Sequence, residues 1–211
     1  MIPVWIGLIL ANILEKGKIK FARVFQLIFF LPQVISAVIA AVMWKWIYDP
    51  VIGPLNSFLT AIGLERFTTG WLGDPNTVMP ALFVIFVWQT YGFCFVVFTS
   101  AIQSVDVQLY DVAEIDGCGS LGQFMNVTLP GIRQAMTTIV LLMVISSFTI
   151  FALVMTTTQG GPGYSSYVIS YYVYYQAFMA NRVGYGAATS ILLTIMILAF
   201  VKLFMYIRER K

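Results

Sequence analysis

Residues 77–103 read TVMPALFVIFVWQTYGFCFVVFTSAIQ, a run of 27 residues without a charged side chain. A helix rises about 1.5 Å per residue, so about 20 apolar residues cross the roughly 30 Å hydrocarbon core of a bilayer. The run is therefore long enough to be a transmembrane helix. Since a segment of this kind needs lipid around it, it decides the class of fold.

Four more apolar stretches flank this run, at residues 2–14, 24–48, 134–157 and 185–207. The last three are long enough to span, whereas the first, with 13 residues, is too short. We expect an all-α membrane protein, a polytopic helical bundle with about five spans. The composition agrees, because 60% of the residues are hydrophobic and 10% are charged, against about 45–50% and about 25% in soluble domains. A soluble domain is excluded.

The basic residues predict the orientation of the chain. If the segment after residue 14 is cytoplasmic, alternation also places residues 104–133 and the C-terminus inside. Two arginines, Arg66 and Arg182, are then outside, against eight basic residues inside. The inside set is Lys16, Lys18, Lys20, Arg23, Arg133, Arg208, Arg210 and Lys211.

Several kinds of chemistry are excluded by residue type. The chain has no histidine, which removes His-ligated metals and a histidine base. The glycines at 160–163 are followed by Tyr-Ser-Ser, without the lysine of a phosphate-binding loop. We expect no catalytic residue and no metal site, and a lipid bilayer rather than nucleic acid as the surroundings.

The segment 104–133 is the most informative part of the chain. A short helix over 106–116 would carry acidic groups, and Gly117, Gly119 and Gly122 would end it and allow a sharp reversal. Pro130 stands where the next helix begins, where a missing N–H costs little. At about thirty residues it is longer than an ordinary connection of about six. We interpret it as a docking element for a soluble partner; the alternative is a plain connector.

This segment resembles the EAA loop of permease subunits in binding-protein-dependent ABC importers. That signature is EAA, three residues, Gly, nine residues, Ile, one residue and Leu-Pro. The same intervals separate Asp111-Val112-Ala113, Gly117, Val127 and Leu129-Pro130. Three residues depart from the pattern: Asp111 replaces Glu, Val112 replaces the first Ala, and Cys118 follows the Gly where Ala is common.

Other pieces extend the resemblance over nearly the whole chain, towards the sugar-type, maltose-transporter-like permeases. They occur in a consistent order: Phe29-Phe30-Leu31-Pro32, Trp44 to Pro50, Gly53-Pro54-Leu55-Asn56, Trp71 to Pro75, Trp88, Ala101 to Ser104, Gly160 to Gly163, and Gly184 to Ala188.

The resemblance implies a fold of the type I ABC importer permease class and a coupling role for the loop. The coupling residues would be Asp111, Val112, Ala113, Asp116, Gly117, Leu129 and Pro130. Asp111, one methylene shorter than Glu, would pair with a basic group of an ATPase subunit. ATP and magnesium would belong to that ATPase, and this chain would hold no cofactor. The implied partners are ATPase subunits, a second permease and an extracytoplasmic solute-binding protein.

The resemblance also bears on the extent of the chain. We expect residues 1–211 to form one transmembrane permease domain in a cell membrane of the bacterial inner-membrane type. The family core has six spans, so the first helix and part of the second are expected to be missing. Either the sequence is a fragment or translation starts late.

A solute path needs polar or aromatic side chains at mid-depth in the membrane. Aromatic faces and hydroxyls suit a neutral sugar. The candidates are Trp88, Thr90, Phe93, Ser146 and Ser147, of which all but Trp88 match positions near the sugar in the maltose-type permease. The alternative is that the hydroxyls bond carbonyls of their own helix and the aromatic rings pack between helices.

The leading hypothesis is therefore a permease subunit for a sugar or oligosaccharide. One alternative is the same architecture importing another solute, such as glycerol phosphate or a polyamine. A different alternative is a membrane scaffold that keeps the fold and transports nothing.

Overall fold

A computed structural model describes residues 1–17 and 22–209, and within these ranges the chain is helical and has no strand. The predicted all-α fold is confirmed. Lys18, Lys20, Arg210 and Lys211, which enter the orientation argument, lie outside the described residues. The α-helices are α1 Ile2–Lys16, α2 Ala22–Val34, α3 Ala37–Ile47, α4 Pro54–Ala61, α5 Val78–Gln103, α6 Val107–Ile115, α7 Ser120–Gln123, α8 Leu129–Gly131, α9 Arg133–Phe148, α10 Phe151–Thr157, α11 Ile169–Tyr174 and α12 Val183–Glu209.

Three stretches among the described residues are long and apolar enough to cross a membrane. They are Val78–Gln103, Arg133–Thr157 and Val183–Arg208. A fourth is present if α2 and α3 are counted together as one broken span, and Ile2–Glu15 is a shorter apolar helix. All five apolar stretches are therefore helical, but the fourth is interrupted between α9 and α10, and the second is broken between α2 and α3.

Pro32 and Ser36 explain this break. Pro32 lies inside α2, where it cannot donate a hydrogen bond to the preceding turn. Ser36 then begins α3 as its N-cap, because its side-chain oxygen accepts a hydrogen bond from the Ile39 amide at 3.3 Å. The chain stays apolar through the break, and for this reason hydropathy alone predicts one span here.

The described residues form two compact units, the first made of residues 1–35 and 87–143. In this unit Val4, Leu8 and Ala11 follow one face of α1 and are fully buried. At Gly7 an added Cβ would lie 2.6 Å from the Cβ of Cys94, so α1 approaches α5 closely there. Small residues permit such helix contacts in membranes, where packing replaces the hydrophobic effect as the main attraction.

The second unit comprises residues 36–86 and those from 144 onward. Its core joins α3, α5, α10 and α11 through Ala41, Tyr48, Val78, Ala81, Leu82, Ile85, Leu153, Val154 and Tyr171. The Tyr48 hydroxyl donates to the Ala81 carbonyl at 3.3 Å, so this core also satisfies its buried polar atom.

The connection between α3 and α5 is folded, as its glycines and prolines predict. Asn56 of α4 is buried and uses both ends of its amide: its nitrogen donates to Thr69 O at 3.0 Å, and its oxygen accepts from the Trp71 indole at 2.8 Å. The Asp49 carboxylate accepts the amides of Val51 and Ile52, both at 2.9 Å. These hydrogen bonds favour the charged form and lower the pKa of Asp49.

Candidate functional site

The connection 104–133 contains the helix α6, whose first turn is capped. Asp106 is its N-cap, and Oδ1 of Asp106 accepts a hydrogen bond from the Gln108 amide at 2.9 Å. A cap of this kind stabilises a helix by about 0.5–2 kcal/mol. Because α6 has only 9 residues, such local contributions matter for its persistence.

The end of α6 is fixed by Gly117. Gly117 has a φ of +76°, the left-handed region that L side chains rarely adopt. The Gly117 amide donates to Glu114 O at 3.0 Å and the Cys118 amide to Ala113 O at 2.9 Å. This pair of bonds is a Schellman motif, which closes the free carbonyls of the last turn. A residue with a Cβ would be strained at this φ, which explains the glycine at position 117.

Two contacts join the first and last parts of the segment 104–133, and the first of them involves α6. The hydroxyls of Tyr110 and Thr128 lie 3.0 Å apart, and Thr128 is fully buried in a π-helical turn over Phe124–Thr128. A Cβ added at Gly131 would lie 2.8 Å from Cγ2 of Val105, so the two ends of the hairpin meet without room for a side chain. The segment is a fixed hairpin.

The outward surface of α6 is mixed in character. Ala113 is buried, with 8% of its surface exposed, whereas Val112 is 55% exposed and Ile115 is 85% exposed. Asp111 and Asp116 are also exposed, and Asp116 is the C-cap residue. Exposed apolar side chains beside carboxylates are typical of a surface that another protein covers.

Leu129 and Pro130 open the short helix α8, with Leu129 half-buried and Pro130 exposed. Pro130 is the second residue of α8, which continues directly from the π-helical turn Phe124–Thr128. The main helix α9 begins only at Arg133. The structure therefore brings the seven predicted coupling residues into one hairpin, and it adds Val105, Tyr110 and Thr128, which the sequence reasoning missed.

The candidates Trp88, Thr90 and Phe93 lie on α5 and are each half-buried. They belong to the compact unit of residues 1–35 and 87–143.

Ser146 and Ser147 lie near the end of α9, in the other unit. The Ser147 hydroxyl donates to Val144 O of its own helix at 2.7 Å, which is the alternative that the sequence left open. Thr149 follows the same pattern towards Ile145 O at 3.2 Å. These hydroxyls accompany an interruption of the helix, because α9 ends at Phe148 and α10 begins at Phe151.

Gln89 has a role that the sequence did not reveal. Its amide nitrogen donates to Ile35 O at 2.9 Å, at the break between α2 and α3. Ile35 lies between the two helices, so its carbonyl is outside the hydrogen bonding of either helix. A carbonyl without a hydrogen bond is unfavourable in lipid by several kcal/mol. One turn further along α5, a Cβ on Gly92 would collide with the Phe29 carbonyl oxygen. Both contacts hold α2 against α5. The sequence feature that indicates the Gln89 contact is a glutamine inside an apolar run.

Within the described residues, no group of three or more Cys, Asp or Glu side chains could hold a metal ion. The two cysteines are free: Cys94 is buried and Cys118 is half-buried.

The fold defines a class, a multi-pass helical membrane protein, and the segment 104–133 adds an exposed short helix, α6. Residues 4–211 match the sequence pattern of a protein family, which is described as binding-protein-dependent transport system inner membrane component. Since that match covers almost the whole chain, the protein belongs to this family.

Relatives with similar sequences point the same way. The chain is 37% identical over 194 residues to the probable ABC transporter permease protein YurN of Bacillus subtilis, covering 92% of this chain and 66% of YurN. It is 35% identical to the diacetylchitobiose uptake system permease protein NgcF of Streptomyces coelicolor, covering 90% of this chain and 55% of NgcF. The chain thus spans less than two thirds of the length of both relatives.

Solved structures agree with the fold. A chain of a bacterial ABC transporter that imports the acidic polysaccharide alginate aligns with a TM-score of 0.84 at 25% identity, covering 99% of this chain and 72% of that one. A second structure, in which the alginate transporter is bound to a periplasmic protein carrying an alginate pentasaccharide, aligns with a TM-score of 0.81 at 26% identity, covering 99% of this chain and 71% of that one. Both alignments agree with membership of this family.

Proposed function

We propose that this chain is the permease subunit of an ATP-driven importer for a sugar or oligosaccharide. Family membership gives the kind of machinery. The names of its relatives favour a carbohydrate: diacetylchitobiose for NgcF and alginate for the solved transporter. We place the chain in a cell membrane of the bacterial inner-membrane type and treat residues 1–211 as one permease domain.

The observation that carries the proposal is the construction of α6. The helix is capped by Asp106, closed by Gly117 and tied through Tyr110 to the buried Thr128, while Val112 and Ile115 stay exposed. A short helix held in this way moves as a rigid body with the segment to which it is tied. A coupling element needs an exposed surface that a partner can bind and a rigid connection to the membrane spans, and α6 supplies both.

In the proposed mechanism, residues 104–133 lie on the cytoplasmic side of the membrane. The helix α6 of this segment sits in a cleft of a separate ATPase subunit. Asp111 pairs with a basic group there, and Val112 supplies apolar contact. Ala113, Asp116 and Gly117 keep the helix in position. Leu129 and Pro130 pass the movement on to α9. ATP and magnesium bind the ATPase, and this chain contributes no group to either.

Transport would follow from the movement of α6. Closure of two ATPase subunits displaces the hairpin, and the displacement shifts the spans between inward-facing and outward-facing states of similar free energy. The remaining partners are a second permease and an extracytoplasmic solute-binding protein. An ATPase is common to all members of such importers, so it is the first partner to test.

The proposed solute path uses aromatic and hydroxyl side chains of α5 and α9. Trp88, Thr90 and Phe93 offer aromatic faces and a hydroxyl on α5, and Ser146 adds a hydroxyl where α9 is interrupted. Ser147 is retained as a candidate, although its hydroxyl already has a carbonyl acceptor. Sugars exchange hydrogen bonds with such hydroxyls and stack on such rings.

The proposal is tested by reversing the charge of Asp111. In the complete importer reconstituted in liposomes, Asp111→Lys should abolish sugar uptake and the stimulation of ATP hydrolysis by the loaded binding protein. Asp111→Glu, which restores the length of the family residue, should keep both. Placing a lysine opposite a basic group replaces an attraction with a repulsion, and like charges at an interface cost several kcal/mol.

Glu65→Lys is the matched control, because Glu65 is an exposed carboxylate in the connection on the opposite side of the membrane in our topology. It should leave uptake unchanged. Full coupling in Asp111→Lys would refute the role of α6. An ATPase that binds the wild-type hairpin while no sugar is taken up would favour a scaffold, and uptake of glycerol phosphate or a polyamine alone would correct the solute.

A further inference from the structure

A groove of about 370 Å³ lies between α11 and the first half of α12, within one compact unit. This volume falls in the range of small-molecule sites, about 300–1,000 Å³. It is lined by Tyr167, Val168, Ile169, Tyr172, Thr189, Leu192, Leu193 and Met196. The Thr189 hydroxyl donates to Tyr185 O at 2.9 Å, so it is already engaged within its own helix. The groove surface is mainly apolar, so it suits an apolar occupant better than a sugar.

The α12 wall of the groove is one continuous stripe. Thr189, Leu192, Leu193 and Met196 are spaced i, i+3, i+4 and i+7, which places them on one helix face. The stripe lies in a membrane span, and an 18-residue apolar window of that span has no buried residue. Lipid can therefore reach this face from the side.

The upper end of the stripe is polar. Tyr185 lies one turn before Thr189, and its ring centroid is 6.3 Å from that of Tyr172. The Tyr172 hydroxyl donates a hydrogen bond to Tyr185, which raises the pKa of Tyr172, and the positive charge of Arg182 acts on the same hydroxyl in the opposite direction. Arg182 immediately precedes α12. The Arg182 cation and the tyrosine rings of Tyr172 and Tyr185 therefore lie at the same end of the groove, where α12 begins.

The distances along α12 match one leaflet of a bilayer. With a rise of about 1.5 Å per residue, Thr189 lies about 10 Å and Met196 about 21 Å along the axis from Arg182. The headgroup layer is about 5–8 Å thick and half of the hydrocarbon core about 15 Å. If Arg182 lies at headgroup level, the groove runs from the start of the acyl chains to about the bilayer midplane.

We propose that this groove binds one acyl chain of a phospholipid whose phosphate is held by Arg182 and the hydroxyls of Tyr172 and Tyr185. The apolar lining, the length of the stripe and the cation at its upper end fit the three parts of one lipid molecule. The site is independent of the imported solute, so it stands or falls separately from the sugar assignment.

Photolabelling tests the apolar half. The complete importer is reconstituted with a phospholipid that carries a diazirine in its acyl chain, irradiated, digested and mapped by mass spectrometry. Wild-type protein should show more label at residues 189–196 than at Leu198, which is 62% exposed and outside the groove. Leu192→Trp, which fills the groove, should remove this excess.

Ile191→Trp is the matched control for the labelling. Ile191 is 60% exposed and Leu192 is 63% exposed, they are adjacent on α12, and only Leu192 lines the groove. Ile191→Trp should keep the excess label. Equal labelling of all three proteins would mean general lipid contact and would overturn the proposal. A disulfide between Leu192→Cys and another subunit would also overturn it, because a protein helix would then occupy the groove.

Native mass spectrometry tests the phosphate half. Arg182→Gln should lose one retained phospholipid per permease chain, whereas Arg66→Gln, at an arginine that stacks on Phe67, should lose none. Inorganic phosphate at high concentration should not displace the lipid, because it lacks the acyl chain. Displacement by phosphate, or equal retention in both variants, would refute a phospholipid site.

Discussion

Gly117 is the single residue where a conformational requirement and the proposed coupling coincide. Its φ of +76° costs a residue with a Cβ roughly 1–2 kcal/mol, although an added Cβ would meet no atom within 4 Å. Gly117→Ala should therefore loosen the end of α6 by strain alone. A loss of this size changes a population about 5- to 30-fold. We expect coupled ATP hydrolysis in proteoliposomes to fall within that range while expression is retained.

The control for this substitution lies two residues away. Gly119 has a φ of −67° and also has open space around it, so alanine fits there without strain. Gly119→Ala should keep nearly all of the coupled hydrolysis. If both variants behaved alike, the left-handed backbone of Gly117 would have no part in coupling.

At the scale of the helix, Gly92 controls how closely α2 and α5 approach. Even a methyl group at Gly92 would meet the backbone of Phe29, which cannot swing aside as a side chain can. Overpacking of this kind costs about 1–3 kcal/mol. Gly92→Ala should lower the midpoint of thermal unfolding in detergent, measured by fluorescence-detected size exclusion.

Gly184 gives the comparison for the same substitution. It lies in the first turn of α12 and an added Cβ would meet nothing within 4 Å. Alanine at a helical glycine should stabilise by about 0.5–1 kcal/mol. A lower midpoint for Gly184→Ala than for Gly92→Ala would contradict the packing that the structure gives for α2 and α5.

The elements also show what the sequence can and cannot predict. Hydropathy finds every apolar helix, because the bilayer requires length and apolarity in each span. It misses the break at Ser36, because the residues on both sides stay apolar and the carbonyl left free at Ile35 is satisfied by Gln89, 54 positions away. The spacing of the residues around Gly117 predicts the hairpin 104–133, because the left-handed φ of Gly117 is a local property. The sequence does not predict the Tyr110–Thr128 contact, because that contact depends on how the hairpin folds back.

For the whole molecule, the exposed apolar surface of the described residues agrees with the proposal that the chain is one component of a larger assembly in lipid. An 18-residue apolar window of α12 has no buried residue, and α6 exposes Val112 and Ile115. Sequence predicts that these faces are apolar. It does not distinguish lipid from a neighbouring helix as their cover, because the two are equally apolar.

The orientation of the molecule decides whether an ATPase can reach α6. Eight basic residues against two predict that 104–133 is cytoplasmic, because this asymmetry is the usual determinant of topology. We use a Cys118→Ser background and keep Cys94, which is fully buried. In intact cells, a membrane-impermeant maleimide should label Glu65→Cys and leave Glu114→Cys unlabelled until the membrane is permeabilised. Both positions are exposed, so side-chain burial does not explain a difference. Labelling of Glu114→Cys from outside would place α6 beyond the reach of any cytoplasmic ATPase, and coupling through Asp111 would then be impossible.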